Sequence, residues 1–527
     1  MTQANKLALA AVLRRRTFLA GSAGAAGLAA SGPLARHGWA EDMPKRGGTL
    51  RAAFSASPAG FDPAHGPSGM SHVVIVQVYS RLMTIGRDAK PHPELAESYS
   101  VSSDGLRYTF KLHDGVLFHN RDPLTAADVK FSFDRLRAKN SGYAYGSQVQ
   151  TIKSIDVLDP LTVQFQLTER TDPFLVYMAF PGSSIVPKKL VESGHDLSAE
   201  PVGSGPFKFV SYEPRTVINF VRNDHYFESG KPYFDAMEYR IISDTTALTD
   251  ALMTGEVDFS NEVPPQDWST VRGNSGLKTE TLEGSRYYWL LPNNTVSPMN
   301  DAKVRQAIGL AIDRKAIVDG TFFGEATPIL GGVIPKWNWA YADLHFFDEG
   351  PNISRAKQLL AEAGHAQGFT TTMTIASSFP AMMSMAPIIQ ANLAAIGIKV
   401  SIKTMPIPAY WDQVWGPSNF DITTMYWLSP LVDPDDFVGN NYGCGMSINV
   451  QKSCSKAMQG MLKEAKTAPT EAARKTAYLK QQQLSLQEMP IVPLVNAWLL
   501  MGYTKRLRGF TPLRTGMLVT FKDSWYS

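Results

Sequence analysis

In the second half of the chain the apolar residues fall into a repeating order of helix, glycine and strand. Ser354 to Ala363 carries a helical period and stops at Gly364. Ala386 to Ile396 carries another and stops at Gly397, after which Ile398, Val400 and Ile402 alternate with polar residues as a strand. A glycine closes a helix cheaply because it accepts the left-handed backbone that other residues resist. Helix, glycine, strand, repeated, is the pattern of an α/β layer rather than a bundle or a sandwich. Upstream, Asp301 is placed to cap a helix whose Val304, Ile308, Ala311 and Ile312 line one face, with Gly320 past its end.

The first half reads differently. Gly47-Gly48-Thr49-Leu50-Arg51 opens a strand, Gly60-Phe61-Asp62-Pro63 turns the chain, and Val73 to Leu82 is apolar enough for a buried helix. Leu106, Tyr108, Phe110 and Leu112 alternate with Arg107, Thr109 and Lys111, which gives a strand with one wet face. A helix at Ala126 to Arg137 precedes a second alternating strand, Leu161 to Leu167. Strands and helices mixed this way predict an α+β region. The last thirty residues return to strand and turn text, so both chain ends are expected to build one lobe.

Arg14-Arg15-Arg16-Thr17-Phe18-Leu19, followed by a weakly apolar stretch to Ala30, has the form of a twin-arginine export signal, with Arg15, Arg16, Phe18 and Leu19 as its core. Gly38-Trp39-Ala40 offers a cleavage site, so residues 1–40 are read as a signal peptide and the mature chain as starting at Glu41. Residues 1–40 hold five basic residues and no acidic ones, which leaves 46 Lys+Arg against 48 Asp+Glu. The apparent basicity therefore belongs to the signal and says nothing for nucleic acid. No cysteine lies near the cleavage site, so the expected product is periplasmic and not lipid-anchored.

The two cysteines, Cys444 and Cys454, are ten residues apart among Gly443, Gly445, Asn449 and Ser453. In an oxidising compartment a local disulfide is the first reading and a two-cysteine metal site the alternative, although no histidine is near. The ten histidines never fall in an HxxxH spacing. His113 and His119, around the Asp114-Gly115 turn, are read as surface residues. Gly203-Ser204-Gly205 lacks the spacing of a hydrolase nucleophile elbow. No catalytic residue, metal site or cofactor is expected.

Ten blocks in register then resemble the family 5 extracytoplasmic solute-binding proteins, the dipeptide-, oligopeptide- and nickel-binding components of ABC importers. They include Phe61-Asp62-Pro63-Ala64, Pro93-Glu94-Leu95-Ala96-Glu97-Ser98-Tyr99 and Ser103-Asp104-Gly105-Leu106-Arg107-Tyr108. Leu124-Thr125-Ala126-Ala127-Asp128-Val129, Val202-Gly203-Ser204-Gly205-Pro206-Phe207, Gly255-Glu256-Val257-Asp258 and Val304-Arg305-Gln306-Ala307-Ile308 continue the match. The resemblance runs from about Gly47 to the end, and the cysteine positions also look like the family's. It implies an α/β, two-lobe periplasmic-binding-protein fold (type II, cluster C-like) with an extra α+β subdomain in the first lobe. Carried onto this chain, lobe I combines 47–80, 205–297 and 498–527, the insert is 81–204, and lobe II is 298–497. The hinges fall near Asn293-Asn294 and Val495-Asn496. The implied partners are a small-molecule or peptide ligand and a membrane permease complex, with the twin-arginine machinery during export and a monomer at work. A periplasmic sensor or chaperone-like module shares the same mechanics, and a secreted hydrolase is the competing class.

The ligand is where this sequence departs from the resemblance. Peptide-binding branches carry an aspartate three residues after a tryptophan and four before a proline, and it holds the peptide's amino group. Here Trp427 and Asp433-Pro434 are in place, but the position is Pro430. The dipeptide branch grips the carboxylate with an arginine where this chain reads Ala376-Ser377-Ser378, and no arginine occurs between Arg355 and Arg474. A desolvated charge pair is worth roughly 100-fold in affinity, so a free dipeptide is disfavoured. Aromatic walls are expected instead: Trp427, Trp415 and Tyr410 from one lobe, Phe61, Tyr145 and Trp498 from the other. Asp433 is expected to start a helix rather than to touch ligand.

Overall fold

The structure is a computed structural model that describes residues 43–527, apart from 67, 144, 349 and 447. The export signal, with Arg15, Arg16, Phe18 and Leu19, lies outside the described residues.

One eleven-stranded mixed sheet runs through the molecule. At one end the strands Phe369–Ala376 and Ile398–Met405 pair in parallel, and Ile422–Leu428 joins Phe369–Ala376 on its other side, again in parallel. At the other end Thr49–Phe54 pairs in parallel with Phe259–Ser260 and with Ala236–Ile241. Between these ends lie the two longest strands, Leu277–Pro292 and Val492–Thr504, antiparallel to each other. The first pairs with Ile422–Leu428 and the second with Phe259–Ser260. They tie one parallel α/β unit to the other. Residues 96–167 add a separate four-stranded antiparallel sheet.

The apolar core divides along the same lines. One cluster joins Leu50, Phe207, Tyr239 and Phe259 to Tyr503 and Phe521 from the C-terminal end. This places Leu50 in one cluster with Phe521, far apart in the chain. A second cluster holds Val304, Ile308, Leu360, Ile389 and Ile398. A third fills the space around the four-stranded sheet with Phe110, Phe133, Phe165 and Phe174, and takes in Leu431 and Val432 from the far half of the chain.

Several elements follow their local chemistry. The helix read from sequence as Ala126–Arg137 is present, and Thr125 and Asp128 form its capping box. The helix expected from Asp301 to Gly320 is two helices, Ala302–Ala311 and Arg314–Phe322. Asp313 causes the break: its carboxylate accepts from Ala316 N and caps a new helix after an extended Ile312. Gly320 lies inside the second helix, which ends at Phe323 in the left-handed region. The apolar helix read as Val73 to Leu82 runs Gly69–Val78 behind a Ser68 cap.

Gly203 and Gly205 let a second stretch of backbone lie against the end of that helix, where Gly205 N donates to Val78 O at 2.8 Å. A Cβ on Gly203 would lie 2.2 Å from Val78 O, and one on Gly205 2.5 Å from Gln77 O. The run permits backbone-to-backbone approach and carries no chemistry. His119 corrects a second reading. Rather than a surface residue it is half-buried, with Nε2 3.0 Å from Gly205 O, and burial lowers its pKa to about 4. Cys444 and Cys454 form a disulfide.

Candidate functional site

In open α/β sheets, ligands bind beyond the carboxyl ends of the parallel strands. Two such ends meet here. Past Phe54, Ser55 N donates to Glu262 Oε2 at 2.8 Å, which ties the loop after the first strand to the loop after Phe259–Ser260. Past Ala376, Ser377 N donates to Met405 O, and Phe379 leads into the helix Pro380–Ala394. The long strand Leu277–Pro292 passes between them. Its residues alternate, so Arg286 and Tyr288 share one face while Tyr287 and Trp289 share the other.

The Arg286 face gathers residues from both halves of the molecule. Arg286 lies opposite Leu428, and Tyr288 opposite Tyr426. The Arg286 guanidinium stands 5.8 Å from the Tyr426 ring centre. Tyr426 in turn meets Phe379 at 5.8 Å, and Tyr288 meets Phe322 at 5.1 Å. Leu428 lies against Gly69 at the start of the first helix. Glu262 acts on Arg286 by its charge without an ion-pair contact. The result is a half-buried cation with aromatic walls from one half and a carboxylate from the other.

The opposite face holds Trp427. It is half-buried, packs against the clusters around Tyr287 and Leu431, and directs its indole N–H at Asp436 without ordinary hydrogen-bond geometry. Pro430 is buried beside Leu431. Asp433 caps the helix Pro434–Tyr442 and pairs with Arg474 at 2.8 Å, both side chains being buried. That is the helix-start role read from sequence.

The other sequence candidates do not converge on one wall. Tyr410 is fully buried, and its hydroxyl lies 2.9 Å from Thr423 Oγ1, which itself donates to Thr374 O. It belongs to the core, because its whole surface is taken by packing. Trp415 stacks edge-on against Trp411 at 4.3 Å and is half-buried. Phe61, 4% exposed, packs on Phe209 and Tyr212. Tyr145 packs on Phe180 and lines a small recess with Pro63, Ala64 and His65. Trp498 donates from Nε1 to Thr327 Oγ1 at 2.9 Å. A second recess, of about 520 Å³ counting space open to solvent, is lined by residues 327–336 and 341–345 with Glu283 and Asn496. None of the expected aromatic residues lines it.

Sequence reading missed Arg286, Tyr426, Phe379 and Glu262. The run Arg286-Tyr287-Tyr288-Trp289 did hold a signal: a cation at an alternating position of an otherwise aromatic strand is out of place in a core.

Among the described residues no cluster of three or more His, Cys, Asp or Glu side chains is arranged to hold a metal ion. No helix among them is long and apolar enough to cross a membrane.

Two parallel α/β units joined by a pair of long strands define the two-lobe periplasmic-binding-protein class. The family is shown by residues 90–449, which match the bacterial extracellular solute-binding proteins, family 5 (middle), and the chain belongs to that family. Among its relatives, di/tripeptide-binding protein 1 of Pseudomonas aeruginosa (strain UCBPP-PA14) is 29% identical over 86% of this chain and 90% of its own length. The glutathione-binding protein GsiB of Salmonella paratyphi A is 28% identical over 85% of this chain and 89% of its own. Among solved structures, the binding protein AgaA of A. tumefaciens R10 with agropinic acid superposes at a TM-score of 0.83. It is 29% identical and covers 91% of this chain and 99% of its own. DppA of Helicobacter pylori with the peptide STSA gives 0.83 at 27% identity, covering 92% of this chain and 98% of its own.

Proposed function

We propose that this chain is the periplasmic substrate-binding component of an ABC importer. It captures a peptide-like or other small organic solute between two lobes and delivers it to a membrane permease. The observation that carries this reading is the strand pair Leu277–Pro292 and Val492–Thr504, from which residues of both halves face one another across Arg286 and Leu428. Lobe I is taken as 47–80, 205–297 and 498–527, the insert as 81–204 and lobe II as 298–497. Ligand contacts made by both lobes favour the closed arrangement, so binding shifts an existing equilibrium. The protein acts by binding and release, without turnover.

Export by the twin-arginine route, from residues 1–40, accounts for the location. A free dipeptide is a poor ligand on this reading, since Pro430 stands where the amino-group clamp of the peptide branches belongs. Trp427 and Trp415 remain candidate ligand walls.

A thermal-shift screen of the purified protein against peptides, opines, sugars, aromatic acids and metal chelates tests the proposal. A ligand at 100 times its dissociation constant stabilises the folded form by ~2.7 kcal/mol. Saturable stabilisation by one ligand class, with that ligand recovered unchanged, is the expected result. Turnover of any panel member, or silence throughout, contradicts it.

A further inference from the structure

Several arginines are buried more deeply than Arg286, and each of them has an acceptor. Arg81 pairs with Glu94 at 2.8 Å, and Arg474 with Asp433 at 2.8 Å. Arg305 donates to Met489 O and Met299 O, and Arg314 to Gly309 O and Pro493 O. Arg286 is different. Its Nε is sealed from solvent without a partner, as the Nε atoms of Arg81 and Arg314 are, but unlike theirs no other nitrogen of its guanidinium has a hydrogen-bond or ion-pair partner among the described residues. Its one close neighbour of note is the face of Tyr426. A guanidinium partly withdrawn from water with no protein acceptor is costly, so such a group is expected to have a use. Its position supplies one: it sits where the two parallel strand ends meet, between Tyr426 and Phe379 on one side and Glu262 on the other.

We infer that Arg286 is the ligand's anion receptor, and that the solute carries a carboxylate which the guanidinium grips as the lobes close. This deepens the binding-protein reading and rests on it. A planar guanidinium matches a carboxylate with two parallel hydrogen bonds, which a lysine cannot reproduce. Tyr426 turns its ring face toward the guanidinium and favours the cation there. Phe379, at the start of its helix, and Tyr426 together give an apolar wall for the part of the solute next to the carboxylate. The cation absent from the Ala376-Ser377-Ser378 stretch is thus returned from a different strand. Glu262, already accepting from Ser55 N, keeps a second anion from settling beside the first and favours solutes that are neutral or cationic at their other end.

Matched acid and amide probes test this. The purified protein and its Arg286→Gln and Arg286→Lys variants are titrated calorimetrically with octopine and its methyl esters, N-acetylphenylalanine and its amide, and the dipeptide Ala-Phe and its C-terminal amide. Unliganded melting of each variant is recorded beside the titrations, to separate binding from folding. The expected result is that every probe that binds is an acid member of its pair. Arg286→Gln then weakens them on the order of 100-fold, and Arg286→Lys recovers part of the loss, with unliganded melting unchanged. Amides that bind as well as their acids overturn the assignment while leaving the binding-protein reading intact. So does an acid that binds Arg286→Gln undiminished, or a variant whose only change is in unliganded melting. Silence of every probe counts against the receptor and the binding-protein reading together.

Discussion

The Ser429 hydroxyl has one proton and two neighbours that both accept, Leu431 O and the Asp436 carboxyl. With Asp436 ionised, one of those contacts sets two acceptors face to face. A protonated Asp436 resolves this by donating to Ser429, which then donates to Leu431 O. Burial, with smaller contributions from Asp435 and Asp433, raises the Asp436 pKa to about 7 against an ordinary value near 3.8. The sign follows. The folded form holds a proton that the unfolded form gives up near pH 4, so this group's share of stability is full below pH 4. It is lost as pH rises to about 7. A shift of that size corresponds to roughly 4 kcal/mol. Urea unfolding at pH 5 and pH 8 should show the loss, and Asp436→Asn should abolish it. The neighbouring Asp433 is held by an ion pair with Arg474 in the core. Asp433→Asn keeps the helix cap but strands the arginine, and should cost roughly 3–5 kcal/mol in denaturant unfolding. At this scale the sequence was legible for Asp433, whose Asp-Pro pair marks a helix start. It was opaque for Asp436, because nothing local says that a surface-type residue will be buried.

At the scale of elements, glycines and caps were the readable signals. Gly397 ends its helix at φ +87°, and Gly364 does the same at φ +82°. Asn352 and Asp301 cap where the pattern places a helix start. Boundaries were missed where two caps compete: Asp313 cuts one expected helix into two, and Pro380 starts its helix six residues ahead of the apolar run at Ala386. The site was harder to read, because it is assembled from strand ends far apart in the chain. Spacing near Trp427 and Ala376 could show which charges were absent, but not that Arg286 on another strand would stand beside Tyr426. The Cys444–Cys454 disulfide was legible from spacing and compartment. Closing so short a loop contributes about 3 kcal/mol at most in the chain-entropy estimate. The Cys444→Ser/Cys454→Ser double variant should therefore melt lower, and reductant should move the parent protein toward it and leave the variant unmoved.

Over the whole molecule, residues 169–177 reach across to the helices of 434–488. Tyr177 donates to Asp435 at 2.5 Å, Asp172 N to Lys466 O at 3.0 Å, and Arg170 to Pro469 O at 3.1 Å. Glu169 and Lys463 pair at 3.2 Å, but in the open, where such pairs add little. On the proposed lobe division these contacts join the insert to lobe II and belong to the closed arrangement. Tyr177→Phe removes the buried hydroxyl contact, worth about 1.5–3 kcal/mol with a charged acceptor. It should weaken ligand binding several-fold by favouring the open form, while Glu169→Gln leaves affinity within twofold, both read by calorimetry. The most direct test of the central claim is small-angle X-ray scattering of the purified protein, titrated with the strongest binder from the thermal-shift panel. Capture between two lobes predicts a radius of gyration that falls and levels off at one equivalent of ligand. Saturable binding with no change in that radius would contradict it.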